Sequence, residues 1–314
     1  MPDGPGRIRF VADRGDARLR LDQALVRRAG EVSRMSRVRA QAWIEAGAVR
    51  VDGVAAPRSS IRLREGAVVE VDLPASAQRR SRPAPQELAI EILYEDEHLL
   101  AVNKPAGQVV HPSYRNAAGT LLNGVLWHLR GRAGTRPGIV SRLDKGTSGV
   151  LLVALAPSVH AALQRDATAG RVRKEYLAVV CGVPEPRRAE IRLPLARDPD
   201  DRRRVTVQEH GSESVTRYEV IAGGDGRSLV RCELVTGRTH QIRVHLAARG
   251  WPIVGDALYG GDGTLARPAL HAWRVRFRHP VTGAAMEITA PLPIDLPLLT
   301  EMGSGTISGL QETG

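Results

Sequence analysis

Pro137-Gly-Ile-Val-Ser-Arg-Leu-Asp144-Lys-Gly-Thr-Ser-Gly-Val-Leu-Leu-Val153 sets two short apolar runs, Gly138–Val140 and Val150–Leu155, around a polar centre. That centre holds Arg142, Asp144, Lys145, Thr147 and Ser148, with glycines at 146 and 149. Short aliphatic runs broken by glycine read as strands joined by a turn. A turn at strand ends is where a rigid scaffold presents a reactive side chain. Asp144 is thereby displayed beside cations that favour its ionised form. An isolated Asp-Lys-Gly would read more readily as a solvated turn, so its meaning depends on the rest of the chain.

The chain has 314 residues, enough for one large domain and a small one. Hydrophobic residues make up 42% and charged residues 25%, ordinary for a globular protein. No apolar run approaches the ~20 residues that span a bilayer. The start, Met1-Pro-Asp-Gly-Pro-Gly, lacks the basic-then-apolar order of a signal peptide, so a cytoplasmic location is expected. Cys181 and Cys232 sit in strand-like apolar runs and read as buried thiols, with no disulfide framework or zinc site. The net charge of +11 favours a polyanionic partner, because neutralising phosphates releases counterions. Of 45 cations only Lys104, Lys145 and Lys174 are lysines. Arginine and lysine are not interchangeable where a compact ammonium is wanted.

Residues 1–17 read as a flexible arm. Leu21, Ala24 and Leu25, then Ala40, Trp43 and Ile44, fall at i, i+3, i+4 and predict two short helices. Ser36 is a candidate N-cap and Gly47 a stop for the second. Alternation at Val49 and Val51, the Asp52-Gly53 turn, and Val69 with Val71 predict a small sheet. Arg20-Leu21-Asp22, Ser36-Arg37, Gly47 to Gly53 and Gly66 to Val71 together resemble the S4 RNA-binding domain, over residues 18–74. The resemblance implies that Arg20, Arg34, Arg37 and Arg39 contact RNA phosphates. Such contacts position a nucleic acid but carry little sequence information. Residues 75–88 are rich in Pro, Ser and Arg and read as a linker.

The expected catalytic domain spans 89–300, with a frayed tail at 301–314. Ile90 to Lys104 reads as strand, acidic turn and strand, ending at Pro105-Ala-Gly107, with His111 shortly after. Gly119 to Leu129 predicts a helix, and Pro157 to Gly170 another with Ser158 as candidate cap. Arg173-Lys174-Glu175-Tyr176 opens a strand. Ser214–Ala222 and Ser228–Val235 predict a hairpin about Gly223-Gly-Asp-Gly-Arg227, after a polar exposed loop or β-excursion at 196–214. Thr236-Gly-Arg238-Thr-His240-Gln241-Ile-Arg243-Val-His245 predicts a helix capped by Thr239 and running to Gly250. His240 and His245 lack the i, i+4 spacing and acidic partners of a metal site.

Ser141-Arg-Leu-Asp-Lys-Gly-Thr-Ser-Gly149, with Lys174-x-Tyr176 and the Thr236 to His245 string in that order, resembles the pseudouridine synthases of the large-subunit ribosomal RNA type. The one departure is Ser141, where that branch usually has His. The resemblance implies an α+β fold. Its parts are a mixed, mostly antiparallel sheet with flanking helices and a central cleft, plus the small S4 α/β domain. It implies isomerisation of a uridine in large-subunit ribosomal RNA, free or in a pre-ribosomal particle, by a monomer with no cofactor, no metal and no membrane partner. Breaking a glycosidic bond needs a negative group to attack or stabilise the anomeric carbon, and Asp144 is that carboxylate. By resemblance Arg243 pairs with Asp144, Tyr176 stacks on the uracil, and Arg142 fills the gap left by the flipped base. Lys104, His111, Lys174, Arg238, His240 and Gln241 are then the substrate-binding candidates, with a structural role also open for Lys104 and His111. Three alternatives stay open: the same chemistry on transfer RNA, a silent RNA-binding assembly factor, and an N-glycosidase that releases free uracil. Covalent attack and base catalysis on the sugar both remain possible for Asp144.

Overall fold

A computed structural model describes residues 7–33, 35, 37–72, 83–112, 116–201 and 203–303. The chain divides into two compact units, Met1–Arg82 and Pro83–Gly314. None of the helices among the described residues is long and apolar enough to cross a membrane.

The first unit runs β1 (Arg7–Val11), α1 (Leu21–Ser33), α2 (Arg37–Glu45), β2 (Val49–Val51), β3 (Val54–Ala55) and β4 (Val68–Asp72). Its sheet has the antiparallel order β1-β4-β2-β3. Leu21, Ala24, Leu25, Trp43 and Ile44 from the helices bury against Val49, Val69 and Val71 of the sheet. Asp52 and Gly53 both have positive φ, as a two-residue hairpin with the right twist requires. The flexible-arm expectation fails for residues 7–11. Arg7-Ile-Arg-Phe alternates charged and apolar side chains, and β1 pairs with β4 so that Ile8 lies opposite Val71 in the core. Arg34 and Ser36 lie outside the described residues.

The second unit is built on a ten-stranded sheet. Its strands are β5 (Glu91–Glu95), β6 (Leu99–Lys104), β7 (Gly138–Ile139), β8 (Ser148–Ala154), β9 (Arg173–Cys181), β10 (Arg188–Arg192), β13 (Val215–Gly224), β14 (Arg227–Leu234), β15 (Leu270–Arg278) and β16 (Ala285–Thr289). The main order is β10-β13-β14-β9-β15-β8-β6-β5, with β16 on β15 and β7 on β8. β8 and β15 pair in parallel, whereas the other pairs are antiparallel. A separate two-stranded sheet joins β11 (Leu195–Arg197) to β12 (Val205–Val207). The helices are α3 (Leu121–His128), α4 (Pro157–Thr168), α5 (Gln241–Ala248) and α6 (Pro297–Gly303).

The unbroken apolar runs of β6 and β8 follow from burial on both faces. Leu100, Val102, Leu151 and Val153 enter one core, while Leu99, Ala101, Val150 and Leu152 enter the other. Beyond β15 the second face becomes charged. Arg217 meets Glu190 and Glu233, Arg231 meets Glu219, and Arg274 and Arg276 meet Glu175 and Glu287. A depression of about 430 Å³ lies among these mutually paired groups.

Three boundaries differ from expectation. The linker does not extend over 83–88: Asn123 donates to the carbonyl of Ala84 and accepts, through its own carbonyl, from the amide of Gln86, so this segment is anchored on α3. α4 starts at Pro157 after an extended Ala156, not at a Ser158 cap, because proline's fixed φ suits the first helical position. Residues 301–303 belong to α6 rather than to a tail, with Leu299 and Gly303 buried.

Gly149 marks the tightest point of the sheet. Its φ is +113°, and a Cβ there would lie 2.1 Å from the carbonyl oxygen of Ala272 on β15. Gly149→Ala is expected to lower unfolding stability by at least about 2 kcal/mol. Urea midpoints of the two proteins measure it.

Candidate active site

Asp144 stands on the turn between β7 and β8, and the turn is tied down from behind. The Thr147 amide donates to the Asp144 carbonyl, and the Gly107 amide to the Lys145 carbonyl at 2.7 Å. Lys104 Nζ donates to the carbonyls of Pro105 (2.8 Å), Gln108 (3.0 Å) and Lys145 (3.4 Å). Arg267 Nη1 reaches the Gly146 carbonyl at 3.3 Å, and a two-bond pair with Asp295 orients its guanidinium. Two successive carbonyls after Asp144 are therefore held by buried or nearly buried cations.

This overturns the substrate-binding assignment of Lys104. Its side chain is fully buried and its donors face backbone oxygens. Burial, with repulsion from Arg267, lowers its ammonium to about 8 against an opposing pull from Asp144. It therefore remains mostly charged at neutral pH.

The Asp144 side chain is 20% exposed. Arg243 Nη1 donates to its Oδ2 at 3.3 Å, joining residues 99 positions apart as expected. Arg243 makes its closer contacts elsewhere. Nε and Nη2 donate to Oδ2 and Oδ1 of Asp256 at 2.6 and 2.8 Å. Tyr259 lies 5.0 Å from the same guanidinium, ring face towards it. Asp256 and Tyr259 were missed by sequence reasoning. They lie in Gly255-Asp-Ala-Leu-Tyr-Gly260, a Gly-bounded turn, and only folding brings them to Arg243.

His240 takes the left-handed conformation (φ 56°) and is itself the N-cap of α5, which begins at Gln241 rather than after a Thr239 cap. Its Nδ1 is 2.8 Å from the Tyr259 hydroxyl, and its Nε2 is 3.9 Å from Asp144 Oδ2. Burial holds its pKa below the ordinary value. Gln241, expected to bind substrate, is instead consumed internally. Its Oε1 accepts from Thr236 and the Arg238 amide, and its Nε2 donates to Val215 and Thr216. His245 is likewise buried between Thr216 and the Leu193 carbonyl.

Tyr176 on β9 is buried, and its phenol is raised well above the ordinary range, first by burial and then by the Asp144 charge. Asp144, Tyr176, Arg142, Arg238, Lys174 and His111 all border one groove of about 700 Å³. Arg142, Arg238 and His111 are exposed on it, and Lys174 is half-buried. Burial lowers the Lys174 pKa. Arg142, Lys174 and Arg238 make no ion pair among the described residues. Nor does any group of three His, Cys, Asp or Glu among those residues suit a metal ion.

In the first unit, Asp22 is fully buried and accepts from Arg20, Arg37 and Gln41. Burial alone would raise its carboxyl, but these hydrogen bonds bring it down to about 2. Arg20 and Arg37 are thus oriented by a common carboxylate, with 38% and 54% of their side chains exposed. Arg39 lies over the Trp43 ring at 4.8 Å. The Arg34 assignment falls outside the described residues.

The Lys104 geometry separates a structural from a substrate-binding role. Lys104→Met is expected to cost about 3 kcal/mol of stability by stranding buried carbonyls, while RNA affinity stays unchanged. Urea unfolding and filter binding measure the two effects.

Residues 98–248 match the family model described as RNA pseudouridylate synthase. The chain is 40% identical over 281 residues to ribosomal large subunit pseudouridine synthase D of Xanthomonas campestris pv. campestris, covering 84% of this chain and 83% of that one. It is 40% identical to the RNA pseudouridine synthase YlyB of Bacillus subtilis, covering 85% and 89%. Among solved structures it is similar to human RNA pseudouridylate synthase domain containing 1, with a TM-score of 0.57 and 27% identity, covering 74% of this chain and 98% of that one. At 40% identity over most of both chains, with residues 98–248 matching the family model, the chain belongs to the RNA pseudouridylate synthase family, isomerases that convert uridine in RNA to pseudouridine.

Proposed function

We propose that this protein converts uridine in large-subunit ribosomal RNA to pseudouridine, acting in the cytoplasm as a monomer, with Asp144 as the reacting carboxylate. The observation that carries the reading is the Asp144–Arg243 contact at the edge of the groove that also exposes Arg142 and Arg238. The name of the Xanthomonas campestris relative supports the ribosomal substrate.

In the reaction the C1′–N1 bond breaks, the base turns, C5 bonds to C1′, and the C5 proton leaves as N1 gains one. Asp144 supplies negative charge to C1′ as the first bond breaks. Arg243 directs that carboxylate. Tyr176 stacks on the uracil, worth ~1–3 kcal/mol. Its phenol is protonated in the free protein, partly because of the Asp144 charge. If Asp144 esterifies to C1′, that charge disappears and the phenol ionises more readily; with its own proton passed to solvent, the phenolate can take the C5 proton. The proton transfer then follows bond cleavage. Arg142 fills the space vacated by the flipped base, offsetting part of a few-kcal/mol unstacking cost. His111, Lys174, Arg238 and His240 contact the substrate along the groove, and Arg20, Arg34, Arg37 and Arg39 of the S4-like unit grip RNA phosphates.

Folding does bring a second carboxylate, Asp256, into this region, which an N-glycosidase would need to activate water. It is 1% exposed and fully engaged with Arg243, which favours the isomerase over the hydrolase.

Pseudouridine mapped by carbodiimide adducts and primer extension is expected in unmodified large-subunit RNA treated with the parent protein, and in none treated with Asp144→Asn. Adducts confined to transfer RNA would overturn the substrate, and release of free uracil would overturn the isomerase. Tyr176→Phe is expected to bind RNA normally yet slow release of tritium from [5-³H]uridine by about 10²–10⁴-fold. A rate equal to the parent's would remove Tyr176 from the proton transfer.

A further inference from the structure

We infer that Asp256 is a positioning residue for the reaction: it occupies the Nε–Nη2 fork of Arg243, so that Asp144 is met through Nη1 alone. This rests on Asp144 being the reacting carboxylate.

Arg243 has a planar fork of donors, and paired parallel bonds to one carboxylate are its strongest engagement. Asp256 takes that engagement, at 2.6 and 2.8 Å, and Asp144 receives the remaining Nη1 at 3.3 Å. Had Arg243 turned its fork to Asp144, both oxygens of the reacting group would be occupied and its lone pairs stabilised in place. As it stands, Oδ1 of Asp144 accepts no hydrogen bond among the described residues. One guanidinium between two carboxylates also leaves a net negative charge, the sign needed beside a cationic anomeric carbon.

The anchor for this arrangement is rigid. Asp256 is 1% exposed, so no substrate reaches it. Its amide donates to the Ile253 carbonyl, and its Oδ1 accepts from the Leu258 amide. Gly255 has φ +76°, where a Cβ would meet the Arg267 carbonyl at 2.3 Å. A Cβ at Gly261 would lie 2.0 Å from the Ile253 carbonyl and 2.6 Å from the Asp256 nitrogen. The turn that carries Asp256 is therefore packed backbone against backbone. Three residues on, Tyr259 covers the Arg243 guanidinium and holds His240 by its hydroxyl, so one segment orients both groups that face Asp144.

The test measures single-turnover tritium release from RNA labelled with [5-³H]uridine, using the full-length parent, Asp144→Asn, Asp256→Asn, Asp256→Glu, Arg243→Ala and the Arg243→Ala/Asp256→Asn double variant. RNA dissociation constants and melting curves are recorded for each, and rates are compared at a temperature where all are folded. Asp256→Asn is expected to be slower by about a hundredfold, with RNA affinity unchanged. Asp256→Glu, which restores the charge, is expected to recover part of the rate. The double variant is expected to be no slower than Arg243→Ala alone, because Asp256 acts through Arg243. Three results would overturn the inference: an Asp256→Asn rate within about twofold of the parent, a double variant showing the product of both losses, or a folded Asp256→Glu as slow as Asp256→Asn. No release by the parent would instead overturn the reading of Asp144 itself.

Discussion

The grip of Lys104 and Arg267 on the carbonyls of Lys145 and Gly146 is the interaction on which the catalytic unit depends. A carboxylate that is to meet a substrate atom has to be exposed, and an exposed turn is ordinarily mobile. Here the side chain of Asp144 faces the groove while its own backbone is held from the interior. Burying cations is costly unless every donor is used, and Lys104 uses its donors on three carbonyls. The parallel β8–β15 pairing brings the two ends of this clamp together, since Arg267 and Pro268 immediately precede β15. Gly149 allows that approach, because a side chain there would strike the neighbouring backbone.

Electrostatics in the groove follow from this frame. Asp144 and Asp256 share Arg243, while burial keeps His240 low and Tyr176 high. The strongest local negative centre is thus the one that meets solvent. A neutral imidazole 3.9 Å away adds a dipole rather than a second positive charge. Of the cations bordering the groove, Arg142, Lys174 and Arg238 make no ion pair among the described residues, whereas Arg243 is committed to two carboxylates.

Much of this was legible in the chain itself, and the rest was hidden for identifiable reasons. Asp144, Tyr176 and Arg243 could be named through the resemblance of their motifs to a known family, and folding sets Arg243 3.3 Å from Asp144. The apolar runs of β6 and β8 were legible as strands, but their burial on both faces is visible only in the fold. Motifs did not reveal side-chain direction. Lys104 and Gln241 border the groove in sequence yet turn inward, because unsatisfied carbonyls claim their donors. β1 escaped notice because its partner strand β4 lies about sixty residues away and its alternation is only a few residues long. Asp256 is a lone acid in a glycine-rich turn, and its meaning exists only once α5 brings Arg243 against it. The Thr239 cap failed because His240 accepts left-handed backbone, which moves the start of α5 onward.

The charged face over β9, β10, β13 and β14 has a consequence for how a polyanion approaches. Strand alternation sets Glu175, Glu233 and Arg217 on the face opposite Tyr176, Cys232 and Tyr218. Arg217 and Arg231 there have carboxylate neighbours, while Arg188 makes no ion pair among the described residues, so most of that surface offers a phosphate chain repulsion as well as attraction. The catalytic unit is an oriented target rather than a uniformly sticky one. A phosphate chain meets charges of both signs on this side, and exposed arginines without ion pairs, Arg142 and Arg238, on the side that carries Asp144. Arginine abundance, which in bulk looks like indiscriminate affinity for nucleic acid, is thereby converted into a choice of face.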